Sequence, residues 1–399
     1  MTVQARNHHD TFIFLTAYLL SAFGYEFIFF VMTIYVYQIN MSALNVGIFA
    51  ALTLVPRLFA PFYGTIADRY SKTHILAGAA GITGLMIAAM VFIGQMVWIY
   101  LFWTLISVFL AFIINVRTAL MTEVMSRNRY LGNSMVLSSL NLAKVCAPLL
   151  AGLLSTVMSL KWLFCFTGAI YLLVMLFSTR IHLPVHSVER ISRGIIGDLK
   201  EGLKYIADDP QLKNLISLAF CRALFIGMQT SLFVVYVKTY LAGSDAKYGL
   251  FMTVIGIGSI MGSIIGPWLL KRIKYTIVVV AGMSIHYLSF IVLGFLYHYN
   301  IALAVVFLSF LVFYITLVSL HSRRDQATRI DIRGRVYGSV TAILTPPAIV
   351  SMLLGGYLSN LIGVEKVMAG AGILALTTLY LLISANHSKP YSSSNTLPS

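Results

Sequence analysis

The stretch FIFLTAYLLSAFGYEFIFFVMTIYVYQI, residues 12–39, contains a single charged side chain, Glu26, in a run otherwise apolar or neutral. A hydrocarbon core of about 30 Å takes roughly 20 such residues in a helix, and soluble core helices are rarely apolar for so long. Eleven more runs of the same kind follow, at 45–67, 75–95, 98–122, 132–157, 161–179, 212–241, 248–270, 275–297, 300–322, 336–360 and 364–385. The expected fold class is an all-α polytopic membrane protein with 12 transmembrane helices. Composition agrees: 59% of residues are hydrophobic and only 10% are charged, far from the profile of a soluble domain.

The basic residues orient these spans. Only Lys161, Lys238, Lys247 and Lys366 fall in, or at the span ends bordering, one set of alternate connections, and Arg57, Arg117, Lys144 and Arg222 fall well inside spans. All the other Lys and Arg residues sit at the N-terminus, in the opposite connections or in the tail. Basic loops stay in the cytosol during insertion, which predicts cytosolic N and C termini. The formal charge of +15 then reflects topology and lipid contact, and no nucleic acid partner is expected. The first run follows a short polar segment, exceeds a signal-peptide core and lacks a small-residue cleavage pattern, so it reads as a retained span. Cys146, Cys165 and Cys221 all lie within spans. With no CxxC or Cys/His spacing, neither a disulfide framework nor a metal site is expected, and no cofactor is expected. Phosphate-binding loops and paired Asp motifs are missing from the sequence, which weighs against an ATPase or a membrane enzyme.

One long polar connection divides the chain. It predicts an N-terminal six-helix half at 1–180, a cytosolic central loop at 181–211, a C-terminal six-helix half at 212–387 and a disordered Ser-rich tail at 388–399. Within the loop Ile195, Leu199, Leu203 and Ile206 recur at helical spacing, while Asp198, Lys200, Glu201 and Lys204 take the other face. That pattern predicts an amphipathic helix on the cytosolic membrane surface, serving either as a tether or as a regulatory element.

Faint internal repetition supports the 6+6 division. Gly64-Thr65-Ile66-Ala67-Asp68-Arg69-Tyr70-Ser71-Lys72 closes the second span, and Gly266-Pro267-Trp268-Leu269-Leu270-Lys271-Arg272-Ile273-Lys274 closes the eighth. Arg129 to Gly132 followed by Ala147-Pro148-Leu149-Leu150-Ala151-Gly152 is echoed by Arg333 to Gly338 followed by Leu354-Gly355-Gly356-Tyr357. Two such halves rocking about a midplane site make an alternating-access transporter.

The Gly64–Lys72 segment resembles the loop 2-3 signature of the major facilitator superfamily (MFS), with Ser71 where a second Gly is usual and Leu270 replacing the Asp in the second copy. The resemblance implies that Gly64, Asp68, Arg69 and Lys72 act as a conformational latch, an Asp at a helix end facing a neighbouring helix and its Arg residues. The alternative is a turn that only caps the second span. Pro148 and Gly152 belong to a stretch similar to the Gly-Pro-x-x-Gly-Gly element of exporters in this superfamily, where small residues and a bend suit a rocking interface. Asp198 to Leu212, Arg129 to Gly132 and Gly334 to Gly338 resemble the branch containing the enterobactin exporter and macrolide-efflux proteins. The fourth span departs from many proton-coupled drug exporters in lacking their Arg-x-x-x-Gly element.

Charges inside the spans carry the functional expectation, because an unpaired one costs several kcal/mol. Glu26 is the one acidic residue well inside a span, with Tyr18, Ser21 and Tyr25 on an adjoining stripe. A lone carboxylate there is a candidate proton-coupling group, unless it is simply paired with Lys144 at similar depth. Arg57, Arg117, Lys144 and Arg222 outnumber it, and Arg222 shares a helical face with Gln229, Phe233 and Tyr236. The expected substrate-binding set is Arg117, Arg222, Lys144, Arg57, Tyr25 and Gln229, suited to anions because Arg offers paired donors to carboxylates. Snorkelling of Arg117 and Arg222 to the interface is the alternative. His286 and His321 read as hydrogen-bonded interior residues, and Glu123 with Arg127 and Arg129 as a second charge network. The resulting expectation is a monomeric, ion-driven exporter of a small anionic metabolite, with protons the coupling ion and a carboxylate-type siderophore the best-fitting cargo. It is placed in the inner (cytoplasmic) membrane. Multidrug efflux of lipophilic cations by proton antiport is the rival within the class, and a non-transporting membrane sensor or scaffold the rival outside it.

Overall fold

The computed structural model describes residues 3–59, 63, 71–124, 129–181 and 195–387. Its elements are helical. The first six are α1 (Val3–Asn40), α2 (Ala43–Leu54), α3 (Lys72–Ala89), α4 (Met96–Val124), α5 (Arg129–Val157) and α6 (Leu160–Thr179). A short helix α7 (Ile195–Asp208) precedes α8 (Pro210–Val235), α9 (Asp245–Leu270), α10 (Tyr275–Gly294), α11 (Tyr299–Ala327), α12 (Arg333–Ile362) and α13 (Val364–His387). Among the described residues 11 helices are long and apolar enough to cross a membrane, which makes this a multi-pass membrane protein. The expected second span, 45–67, is represented by α2 and a 3-10 turn at Val55–Phe59, and most of its remainder lies outside the described residues.

Hydrocarbon offers no hydrogen bonds, so each spanning segment must satisfy its own backbone, and helices do so. Hydroxyls inside the spans are satisfied locally in the same way: Thr33 donates to the Phe29 carbonyl at 2.7 Å, Thr83 to Ala79 at 2.7 Å and Thr167 to Leu163 at 2.8 Å. Helix starts follow capping chemistry. Asp209 accepts from the amides of Gln211 and Leu212 at the head of α8, with Pro210 in the first turn, and Ser42 and Ser244 cap α2 and α9. Leu85, Phe92, Trp98, Leu105, Trp162, Ile264 and Trp268 stay exposed on the perimeter, the surface that lipid covers.

Packing sorts the helices into two groups. α1 packs on α5 and α6, α3 on α4 and α6, and α2 on α4; separately, α9 packs on α11, α8 on α12 and α10 on α11 and α13. The groups meet where α5 crosses α9 and α2 crosses α12. Small residues permit both crossings. A methyl added at Gly152 would come within 2.9 Å of the Gly249 Cα, and one at Gly47 would strike the Met352 carbonyl. Pro148 and Gly152 therefore sit at a close approach between the groups, since Gly249 faces the Pro148 carbonyl.

The described hydrogen bonds between the groups lie at mid-depth or toward the end of the bundle opposite the chain termini. Tyr37 pairs with Thr239, Gln38 donates to Asp245 at 3.2 Å, and Asn360 bonds both Ser42 (2.8 Å) and the Ala43 amide (2.9 Å). Lys238 is ion-paired to the same Asp245. This end is held shut. Gly47→Val is expected to wedge it open, because overpacking costs about 1–3 kcal/mol and so shifts a two-state balance roughly tenfold or more. Maleimide labelling of a cysteine at Thr239, in a background without native cysteines, should rise accordingly; unchanged labelling would mean the crossing is not what keeps this end closed.

Helix α7 differs from the surface helix expected of the central loop. Its Ile206 is buried with Ile216, Ile332, Val336 and Val340, and Arg335 of α12 pairs with Asp198 at 3.0 Å and Glu201 at 2.8 Å. Ser339 donates to the Leu199 carbonyl, and Gly202 lets the helices touch at Arg335. Asp198 and Glu201 of the charged face are thus docked on α12, while Leu203 remains 38% exposed.

Candidate functional site

Tyr18, Ser21, Tyr25 and Glu26 follow one another at spacings of three, four and one along α1, which sets them on neighbouring stripes of one helix face. Arg117 of α4 reaches this face. Its Nη1 donates to Ser21 Oγ at 3.0 Å, its guanidinium carbon lies 4.5 Å from the Tyr18 ring centre, and the residue is only 5% exposed. Snorkelling is thereby corrected for Arg117: the side chain turns inward. Arg57, on the turn after α2, donates to the Tyr25 hydroxyl at 3.0 Å.

Glu26 feels Lys144, Arg57 and Arg117 as its charged neighbours. Among the described residues it forms no ion pair with any of them, so the pairing with Lys144 is not made in this conformation. Lys144 instead lies over the Tyr314 ring of α11, its Nζ 5.6 Å from the centre. Arg222 of α8 lies over the Phe313 ring at 5.3 Å. The Nε atoms of Arg117 and Arg222 are buried without a hydrogen-bond partner. Glu26, Lys144 and Arg222 are half-buried.

Gln229 faces elsewhere. It is 2% exposed, and its amide nitrogen donates to His286 Nε2 at 2.8 Å. His286 Nδ1 therefore holds the ring proton and donates toward Ser309, whose oxygens lie at 2.8 and 3.1 Å. Rings of Phe225, Phe290, Phe310 and Phe313 close around this network. Gln229, expected to bind substrate, directs one of its two N–H donors to His286. His286→Phe strands that donor, so a loss of about 1–3 kcal/mol in thermal unfolding is expected, with partial recovery when Gln229→Leu is added.

Toward the end carrying the termini, a cavity of about 490 Å³ is bordered by His321, Asp325 and Arg333. Asp325 accepts from the Tyr337 hydroxyl at 2.6 Å and pairs with Arg324 at 3.3 Å, and Arg324 lies over Tyr337. Arg222 and Arg324 are electrostatic neighbours, so the basic character continues from that cavity to mid-depth. Gly64, Asp68 and Arg69 lie outside the described residues; Lys72 opens α3. Glu123, Arg127 and Arg129 carry no described side chains. Phe313 and Tyr314 join the candidate site without having stood out in the sequence, because nothing in one sequence separates them from the rest of the 25 Phe and 22 Tyr residues; the small, polar Ser309 and Thr316 on the same helix are the one sign of an inward face.

The model of the Major Facilitator Superfamily matches residues 14–345. The chain belongs to that superfamily. It is a transporter and not an enzyme. Among its relatives are the uncharacterised MFS-type transporter YfiS of Bacillus subtilis (strain 168), 22% identical over 93% of this chain and 92% of that protein. BacE of Bacillus amyloliquefaciens, whose name proposes bacilysin export, is 22% identical over 83% of each chain. The crystal structure of the nucleoside transporter NupG superposes with a TM-score of 0.79 at 11% identity, covering 95% of this chain and all of that one. That likeness establishes the MFS fold.

Proposed function

We propose that this MFS transporter has 12 spans in two six-helix halves with cytosolic termini and exports a small organic anion across the cytoplasmic membrane by alternating access. With the termini in the cytosol, the closed end faces outward and the conformation faces inward. One observation carries the substrate reading. Arg117, Lys144 and Arg57 are the charged neighbours of Glu26, and Arg222 lies over Phe313 beside the Tyr314 that Lys144 covers. None of these cations has an ion pair among the described residues, and Arg117 and Arg222 present unused buried donors. Unpaired charges in a membrane protein are expensive, and a ligand carboxylate is the group that would satisfy these.

Glu26 is the proton-coupling group in this account, because it is the acidic group whose charge the surrounding cations register. Asp68 and Arg69 remain the latch that the superfamily signature implies. The likeness of Asp198 to Leu212 and Gly334 to Gly338 to siderophore and macrolide exporters supports export over import, as does the name of BacE, and a carboxylate-type siderophore remains the best-fitting metabolite. The rival cargo is a lipophilic cation drawn by Glu26. Comparing culture supernatants of cells with, without and regaining the transporter, in iron-poor and iron-rich media, separates these. An organic anion that vanishes on deletion and returns on complementation supports the proposal. An unchanged supernatant with new sensitivity to cationic drugs rejects it.

A further inference from the structure

Each mid-depth cation of the site rests on an aromatic ring where an ion pair would place a carboxylate. Arg117 lies 4.5 Å from the Tyr18 centroid, Lys144 5.6 Å from Tyr314 and Arg222 5.3 Å from Phe313. A ring accepts no N–H hydrogen bond in the guanidinium plane, and the Nε atoms of Arg117, itself 5% exposed, and Arg222 are buried without a partner. The rings are also joined to one another. Phe313 lies 5.5 Å from Tyr314 and 5.8 Å from Phe310, while Tyr18 lies 5.9 Å from Phe14. The site therefore offers charge set in aromatic walls on both helix groups.

Such walls discriminate among anions. A compact polycarboxylate is strongly hydrated at every face and must give up much of that water against ring faces, which return no hydrogen bond, and two tyrosine hydroxyls replace little of it. A carboxylate attached to a flat apolar body meets a guanidinium edge with its oxygens and the ring walls with its body, gaining from the area removed from water. We infer that the substrate is an aromatic carboxylate, with one or two acid groups on a ring-bearing body. This rests on the anion-exporter reading and favours a ring-bearing acid over a polycarboxylate siderophore as its cargo. The lone carboxylate Glu26 bounds the acid count from the other side, since each further anionic group placed near it is repelled.

The test is isothermal titration of the purified full-length transporter in lipid nanodiscs with acetate, phenylacetate, 1-naphthylacetate, citrate and tetraphenylphosphonium. Affinity should rise from acetate through phenylacetate to 1-naphthylacetate, by roughly tenfold per added ring, with citrate weaker than phenylacetate. Phe313→Leu should shrink the affinity ratio of 1-naphthylacetate to acetate several-fold, and an unchanged ratio overturns the role of this ring; should that variant fail to fold, the wild-type series decides alone. Citrate binding more tightly than the ring-bearing acids, or no gain from added rings, overturns the aromatic inference and leaves the anion reading standing. Binding of tetraphenylphosphonium alone overturns both.

Discussion

Glu26→Gln is expected to uncouple transport from the proton gradient while tightening anion binding by roughly tenfold. The carboxylate stands among Lys144, Arg57 and Arg117 without an ion pair to any of them among the described residues. Its negative charge therefore lowers the local potential that a substrate anion meets. Two unit charges several ångströms apart at an effective dielectric constant near 20 interact by about 2 kcal/mol, and losing that repulsion is worth about tenfold in affinity or more. Gln keeps the shape and gives up the titratable proton. Exchange of substrate across a membrane without a pH gradient should persist, and acceleration by an imposed gradient should disappear. Gradient-driven transport that survives in Glu26→Gln would remove this residue from the coupling step.

Arg222→Ala is expected to weaken anion binding by about a hundredfold without lowering thermal stability. Charge-assisted hydrogen bonds contribute about 1.5–3 kcal/mol each, and the guanidinium offers paired donors that Ala lacks. Stability should hold or rise because Arg222 has no carboxylate partner among the described residues and its Nε is left unsatisfied; such a charge costs free energy in the empty protein. Arg222→Lys should recover only part of the affinity, since an ammonium cannot form the paired contact. Binding titrations beside thermal unfolding in nanodiscs read both quantities. A large drop in unfolding temperature with unchanged affinity would make Arg222 a structural residue.

Much of the architecture is written in hydropathy and charge, because a bilayer imposes length and polarity on every span. The ends of α8, α9 and α11 fall close to where apolar runs meet Asp, Ser or Arg residues, and inward-facing Glu26 and Arg117 stood out as charges that lipid would not tolerate. What a sequence does not carry is which helix stands opposite. Gln229 sits on the same stripe as Arg222, and only the position of α10 decides that it meets His286 instead of substrate. Lys144 lies at the depth expected of a Glu26 partner, yet the crossing of α5 with α9, which itself packs on α11, leaves it over Tyr314. The docking of α7 was hidden for the same reason, as Arg335 lies 134 residues from Glu201 in the chain.

Anion transport coupled through Glu26 can be measured in proteoliposomes that enclose a pH-sensitive dye and contain the purified protein at one defined orientation. Addition of an aromatic carboxylate such as phenylacetate should evoke a proton flux in the wild type, a reduced one in Arg222→Ala and none in Glu26→Gln. A proton flux evoked by tetraphenylphosphonium and by none of the carboxylates would contradict the account and make Glu26 the binding group of a cation pump.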